Sequence, residues 1–140
     1  MNITIERIRA IFSADKYLMM AGVVIEEIGE DYCKCSLRVG PEHMNAGGAA
    51  QGGAIYTLAD SAFAVASNIG NIDRGDKLLT VSQSASISYL RAGALGETLY
   101  AEGRKVGGGK KTPVFRMDVT NGDGTVIATM TGNGYTVPRR

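Results

Sequence analysis

One long helical pattern followed only by strand patterns is the feature that most restricts how this 140-residue chain can fold. Between residues 53 and 67 the apolar side chains recur at i, i+3, i+4, i+7, i+8 and i+11, which predicts a helix with one broad apolar stripe. The stripe consists of Ile55, Leu58, Ala59, Ala62, Phe63 and Ala66. Strand patterns follow at 78–90, 98–106, 113–120 and 125–137. Four successive strands without helices between them predict an antiparallel sheet that curls around the helix, an α+β fold.

The first third of the chain predicts a helical flank and a hairpin. Ile5, Ile8 and Phe12 recur at helical spacing, which favours a short amphipathic helix in a flank covering residues 1–20. Segments 22–28 and 32–39 alternate like strands, and segment 41–53 is a loop rich in glycine and alanine that leads into the long helix. With no internal repeat and no linker, we expect one domain spanning residues 1–140.

Composition argues against several classes of protein. A formal net charge of +1 gives no field suited to nucleic acid or to an anionic membrane surface. Glu6, Arg7 and Arg9 interrupt the apolar centre that a secretory signal needs, and no run approaches membrane-spanning length. We therefore expect a cytoplasmic protein whose partners are neither nucleic acid nor membrane.

Two cysteines raise the question of a disulfide or a metal. Cys33 and Cys35 should point to the same face of a strand, roughly 7 Å apart, and this spacing does not suit a disulfide. A metal site with His43, the only histidine, would need a fourth ligand that the sequence does not offer. We expect no metal and two small buried side chains.

The chemistry-bearing residues are concentrated where the loop enters the long helix. Gly52 and Gly53 open the helix, where backbone N–H groups without intrahelical partners can donate to a developing oxyanion. Asn45 precedes them with an amide able to donate or accept, and Asp60 interrupts the helix at the rim of its apolar stripe. Each feature also has a plain structural explanation, since glycine pairs shape loops and helical aspartates usually face solvent.

The spacing of these groups has a consequence for assembly. Gly53 and Asp60 are seven residues apart, about 10 Å along a helix axis, so one reacting carbon cannot lie close to both. If both act on one substrate, Asp60 must come from a second, antiparallel copy of the helix. The sequence therefore predicts at least a homodimer with its sites at a two-fold interface.

The residues His43, Asn45, Gln51-Gly52-Gly53 and Leu58-Ala59-Asp60 resemble the H-x-N-x-x-G-x-x-H-G-G…L-A-D pattern of hot-dog-fold thioesterases of the phenylacetate-degradation type. Later segments also look like that family: Val81-Ser82, Tyr89-Leu90-Arg91-Ala92, Gly96-Glu97 and Gly109-Lys110. The resemblance implies an acyl-CoA thioesterase, often a tetramer built from two dimers. It also implies that the Gly52 and Gly53 amides polarise the thioester carbonyl and that Asn45 lines the pocket. Asp60 of the partner would be the general base or nucleophile, and Ser82 would help to hold the attacking water.

The same resemblance bears on coenzyme A and on one departure from the pattern. Coenzyme A belongs to the substrate, no separate cofactor is expected, and its phosphates would lie near basic residues: Arg91, Arg104, Lys105, Lys110 and Lys111. His43 would lie at the pocket rim. Gln51 stands where the pattern has histidine, and glutamine can hydrogen-bond but cannot relay a proton near neutral pH. Two alternatives stay open at this point: a hot-dog hydratase or dehydratase, and a non-catalytic acyl-CoA-binding module.

Overall fold

All six strands belong to one antiparallel sheet, in the order β1-β2-β4-β5-β6-β3, and the long helix α3 contacts every strand. The computed structural model describes residues 1–140. In chain order the elements are α1 (Ile5–Phe12), α2 (Lys16–Ala21), β1 (Val24–Gly29), β2 (Tyr32–Arg38), a short 3-10 helix (Pro41–His43), α3 (Gly52–Asp73), β3 (Leu78–Tyr89), β4 (Thr98–Gly107), β5 (Val114–Thr120) and β6 (Val126–Pro138). The predicted α+β fold with one long helix against an antiparallel sheet is confirmed.

The core lies between α3 and the sheet. Every residue of the predicted apolar stripe is buried, with at most 3% of its surface exposed. Phe63 of α3 meets Phe115 of β5 edge to face, with ring centroids 5.7 Å apart. Since the stripe contacts the sheet along most of the helix, the rim of the stripe is the part of α3 that remains available for a cleft.

The N-terminal flank contains two helices where the sequence pattern predicted one. The Asp15 side chain accepts a hydrogen bond from the Leu18 amide and starts α2 as its N-cap. Hydrogen bonds connect the flank to the rest of the protein at two points. The Asp73 carboxylate, at the end of α3, accepts the Asn2 and Ile3 amides, and the Arg9 guanidinium donates to the Ile25 carbonyl at 2.7 and 2.9 Å.

Helix α3 extends to Asp73, six residues beyond the predicted end. Asn68 and Asn71, which are weak helix formers, lie in this extension and are buried. The Asn68 side chain accepts from the Thr80 amide at 2.8 Å and donates to the Thr80 carbonyl at 2.9 Å. These polar residues look like a helix end in the sequence because their partner on β3 is visible only in the tertiary structure.

Strand β3 forms one edge of the sheet and pairs only with β6. Most of its side chains are at least partly exposed, Thr80 being the buried exception. The register with β6 shifts between Ser82 and Ser84, which marks a β-bulge. Bulges re-aim side chains and are enriched beside active sites.

Cys33 and Cys35 point to the same side of β2, are fully buried and are free thiols. Their sulfur atoms are 3.6 Å apart, closer than the strand spacing, because the two side chains lean toward each other. The hydrogen bond with Cys35, followed by burial, raises the pKa of Cys33. Among the helices, none has both the length and the apolar character needed to cross a membrane.

Candidate active site

The start of α3 presents one free backbone donor. Gln51 is the N-cap, and its side-chain oxygen accepts the Gly53 amide at 2.6 Å. The Gln51 amide donates to the His43 carbonyl at 2.7 Å, whereas the Gly52 amide has no hydrogen-bond partner within the chain. The donor of Gly52 is therefore open to a ligand, and the donor of Gly53 becomes available only when the Gln51 side chain turns away.

Tyr89, at the end of β3, packs on this helix start. Its hydroxyl donates to the Gly52 carbonyl at 3.0 Å, and a Cβ placed on Gly52 would lie 3.2 Å from the tyrosine Cζ. A Cβ on Gly53 would lie 2.5 Å from the Gln51 side-chain oxygen. Both glycines thus lie in close contact with a neighbouring side chain, and the contact with Tyr89 could not be deduced from sequence spacing.

Asn45 and His43 both have structural partners in the loop that precedes α3. The Asn45 side-chain oxygen accepts the Gly47 and Ala49 amides at 2.9 and 3.1 Å, so it shapes the loop, while the residue remains exposed. His43 is buried; its Nδ1 accepts the Gly40 amide at 2.9 Å, so Nε2 carries the proton and donates to the Ala21 carbonyl at 2.6 Å. His43 therefore links the loop to the end of α2.

Two separate cavities lie along α3, each of about 340 Å³. We call the first the Gly53 cavity, lined by Tyr17, Met20, Ala21, Glu42, His43, Met44, Gln51, Gly53, Ala54 and Thr57. We call the second the Asp60 groove, lined by Ile11, Phe12, Asp15, Asp60, Phe63, Ala64, Asn68, Ile72, Leu79, Thr80, Val81, Ser82 and Arg139. Within one chain, Gln51 and Gly53 line one cavity and Asp60 lines the other, whereas Gly52 lines neither.

Asp60 is half-buried, as its position at the rim of the stripe predicted. Burial, followed by the nearby charge of Asp15, raises the pKa of this carboxyl above its ordinary value. Ser82 lines the same groove and lies at the β3 bulge. Tyr56, one helical turn before Asp60, was not a predicted site residue; burial and then the charges of Asp60 and Tyr89 raise its pKa. The structure therefore places Asp60 and Ser82 in the lining of the same groove, with the Asp60 carboxyl half-buried.

The basic candidates lie at opposite ends of α3. Lys105 and Lys110 line clefts at its C-terminal end, together with Arg74, which the sequence analysis did not single out. Arg91 is exposed and follows Tyr89, near the helix start.

The two remaining candidates have intramolecular partners. Arg104 is 2.8 Å from Glu102 and lies over the Tyr32 ring, and the Lys111 ammonium lies 5.7 Å from the centroid of the Tyr135 ring. Within one chain these five side chains cannot bind a single phosphate group.

Comparison with known proteins agrees with this architecture. The sequence model of the Thioesterase superfamily matches residues 47–128. A protein of Archaeoglobus fulgidus named "Putative esterase" is 37% identical over 95% of this chain and 83% of its own length. The "Acyl-coenzyme A thioesterase PaaI" of Escherichia coli is 27% identical over 91% of this chain and 87% of its own length.

Solved structures show the same fold. The structure of the E. coli PaaI protein superposes with a TM-score of 0.84 at 26% identity, covering 94% of this chain and 91% of that one. The structure of a "Hypothetical Thioesterase Protein with Coenzyme A" from Streptococcus pneumoniae gives a TM-score of 0.74 at 28% identity, covering 85% of this chain and 91% of that one.

The six-stranded antiparallel sheet packed against one long helix is the hot-dog fold, and the family match and the esterase relatives identify a thioester hydrolase. The chain belongs to the thioesterase superfamily. The resemblance noted from the sequence is confirmed.

Proposed function

We propose that this protein is an acyl-CoA thioesterase, which hydrolyses an acyl-CoA to a free carboxylic acid and coenzyme A. The observation that carries the proposal is that α3 presents two chemically different groups at separate positions, a free amide donor at Gly52 and a half-buried carboxyl at Asp60. These are the two groups that thioester hydrolysis requires, a stabiliser for the oxyanion and a base or nucleophile. The coenzyme A found with the streptococcal neighbour supports the choice of thiol carrier.

The chemistry follows from these groups. Water, held by Ser82, attacks the thioester carbonyl carbon while Asp60 takes its proton. The negative charge that develops on the carbonyl oxygen is stabilised by the Gly52 amide. Collapse of the tetrahedral intermediate breaks the C–S bond, and the proton returns to the departing thiolate. Direct attack by the Asp60 carboxylate is the alternative route, through an acyl-enzyme anhydride that water then opens.

We further propose that each site is shared by two copies of the chain. Asp60 and the helix start lie about 10 Å apart along α3 and face different cavities. The unpaired edge of β3, twelve residues long, exposes Val81 and Tyr89, and Leu90 follows directly. A long exposed edge strand is a template for pairing with another chain. An antiparallel copy would bring Asp60 of one chain to Gly52 of the other.

The phosphates of coenzyme A are assigned to the helix-start end of the site, where Arg91 is exposed. Arg91→Glu should raise KM for an acyl-CoA but leave KM for the matching acyl-pantetheine, which lacks the nucleotide, unchanged. Lys110→Glu is the matched charge reversal at the opposite end of α3. A larger effect of Lys110→Glu than of Arg91→Glu would contradict the assignment.

The first test is release of free thiol from a panel of acyl-CoA thioesters. Asp60→Asn keeps the size of the side chain but cannot accept the proton, so turnover should fall about 10²–10⁴-fold. Turnover that survives this change would contradict the role of Asp60, and absence of thiol release from every thioester would contradict the proposed function.

The donor can be tested separately because Gly52 is the first residue of α3. Gly52→Pro removes the N–H at a position where helices accept proline, and the Gln51 backbone (φ −64°, ψ 136°) already suits a following proline. Gly52→Ala adds the same Cβ beside Tyr89 but keeps the N–H. We expect kcat of Gly52→Pro to fall about 10²–10³-fold below that of Gly52→Ala. Equal kcat values would contradict the assignment of the Gly52 amide.

Sharing of the site is tested by mixing. Asp60→Asn and Gly52→Pro damage different halves, so exchanging subunits between the two variants should restore one intact site in each mixed dimer and about a quarter of wild-type activity. No recovery after proven exchange would contradict the shared site, as would a monomer at micromolar concentration.

A further inference from the structure

The Asp60 groove extends well beyond the groups that hydrolysis uses. Its lining on α3 runs from Asp60 through Ala64 and Asn68 to Ile72, at intervals of four residues, so these side chains share one side of the helix. Twelve residues of helix span about 18 Å. The opposite wall is β3, and Ile11 and Phe12 of α1 close the groove from the N-terminal flank. The groove is therefore a channel along α3 with the reactive carboxyl at one end.

Apart from Asp15, Asp60 and Ser82, the polar side chains that line this channel already have partners. The Asn68 amide group donates to the Ala64 and Thr80 carbonyls, and its oxygen accepts from Thr80 and Asn71. At the far rim Arg139 is paired with Asp76 at 3.1 Å. What remains facing the channel beyond Asp60 is mainly aliphatic and aromatic: Ile11, Phe12, Phe63, Ala64, Ile72, Leu79 and Val81. Such a surface binds hydrocarbon and discriminates poorly between hydrocarbons of equal area.

We propose that the channel holds the acyl group of the substrate and that this group is a linear, apolar chain of up to about fifteen carbons. The inference rests on the proposed thioesterase function and names its substrate class. An extended chain advances roughly 1.2 Å per backbone bond, so about 18 Å accommodates about fifteen carbon–carbon bonds. A single aromatic ring would occupy only the part of the channel nearest Asp60 and leave the Ile72 end unfilled.

The Gly53 cavity is a poorer candidate for the acyl chain. Although it has a similar volume, its lining includes Glu42, His43, Gln51 and Thr57, and the loop before α3 bounds it. Two alanines of α3 allow a matched comparison, because Ala64 lines the channel and Ala54 lines the Gly53 cavity, and both are half-buried.

The experiment measures kcat/KM by thiol release for straight-chain acyl-CoAs from about two to about twenty carbons, with phenylacetyl-CoA as the aromatic comparison. Each methylene that enters the channel should raise kcat/KM about threefold to fourfold, and the rise should end at about fifteen carbons. A flat profile in an enzyme whose turnover depends on Asp60 would overturn the acyl-channel inference alone. Absence of thiol release from every thioester tested would instead overturn the proposed function.

Two matched variants show which of the two cavities binds the acyl chain. Ala64→Leu narrows the channel and should lower kcat/KM for dodecanoyl-CoA at least tenfold more than for acetyl-CoA. In Ala54→Leu, each added methylene of the substrate should raise kcat/KM by the same factor as in the wild type, whatever the absolute activity of the variant. The reverse result would place the chain in the Gly53 cavity and overturn the inference. If Ala64→Leu does not fold, Phe12→Ala removes the wall on α1 and should also reduce the factor per methylene; an unchanged factor would overturn it.

Discussion

Asn68 is the residue through which α3 holds the edge strand that carries Ser82. Its side chain forms two hydrogen bonds with the Thr80 backbone: it accepts one from the amide at 2.8 Å and donates one to the carbonyl at 2.9 Å. It also accepts from the Asn71 side chain at 3.2 Å. Because β3 has only β6 as a neighbour in the sheet, we expect Asn68→Ala to weaken both folding and the placement of Ser82.

The magnitude follows from the bonds that are lost. The two bonds to Thr80 contribute about 1 kcal/mol each, and burying the Thr80 amide without a partner costs about 1–3 kcal/mol. These terms overlap, since part of the loss is the unsatisfied amide itself. We therefore expect Asn68→Ala to lower the free energy of unfolding by about 2–4 kcal/mol, more than an exposed polar residue would.

The assay is urea denaturation at a fixed protein concentration, because an oligomer gains stability with concentration. Asn68→Asp is the matched variant: it keeps an acceptor for the Thr80 amide but turns a carboxylate toward the Thr80 carbonyl. Since burial raises the pKa of such a carboxyl, the protonated form is favoured in the folded state, and stability should recover as the pH falls. A loss below about 0.5 kcal/mol for Asn68→Ala, or no recovery for Asn68→Asp at acid pH, would refute the reasoning.

Three further predictions concern the site. A base must be deprotonated, so activity is lost as the pH falls through the raised pKa of Asp60. Asp15→Asn removes one cause of the raised pKa and should move the acid limb of the kcat/KM profile to lower pH. An acid limb that does not move would exclude Asp15 as a cause of the raised pKa. Tyr89→Phe should lower kcat about twofold to tenfold with little change in KM, because the hydrogen bond to the Gly52 carbonyl is lost. Tyr32→Phe is the control, since it loses a hydroxyl hydrogen bond to Glu102, far from the helix start, and should leave kcat unchanged. Equal effects of the two substitutions on kcat would contradict a positioning role for Tyr89. Gln51→Ala should lower the free energy of unfolding by about 1 kcal/mol in urea denaturation, and Gln51→Asn, which can still cap the helix, should restore most of it; equal stabilities would argue against the cap.

The sequence by itself determined the long helix, the six strands and the order in which they follow one another. The periodicity of α3 and the alternation of the strands indicate which face of each element is buried, because the spacing of apolar residues within one element decides which of them share a face. Asp60 could be identified as a rim residue for the same reason, because its angular position on the helix is fixed by the residues around it. The glycine pair at the helix start also follows from local chemistry, since only glycine permits such close approach.

Only the tertiary structure decided which groups meet. The Gln51 side chain caps Gly53 and leaves Gly52 as the open donor, and Tyr89 reaches the helix start from a strand 37 residues later. The last six residues of α3 include Asn68, whose side chain forms two hydrogen bonds with the Thr80 backbone. Contacts between residues distant in the chain leave no period in the sequence, because they depend on how the elements pack and not on the spacing within one element.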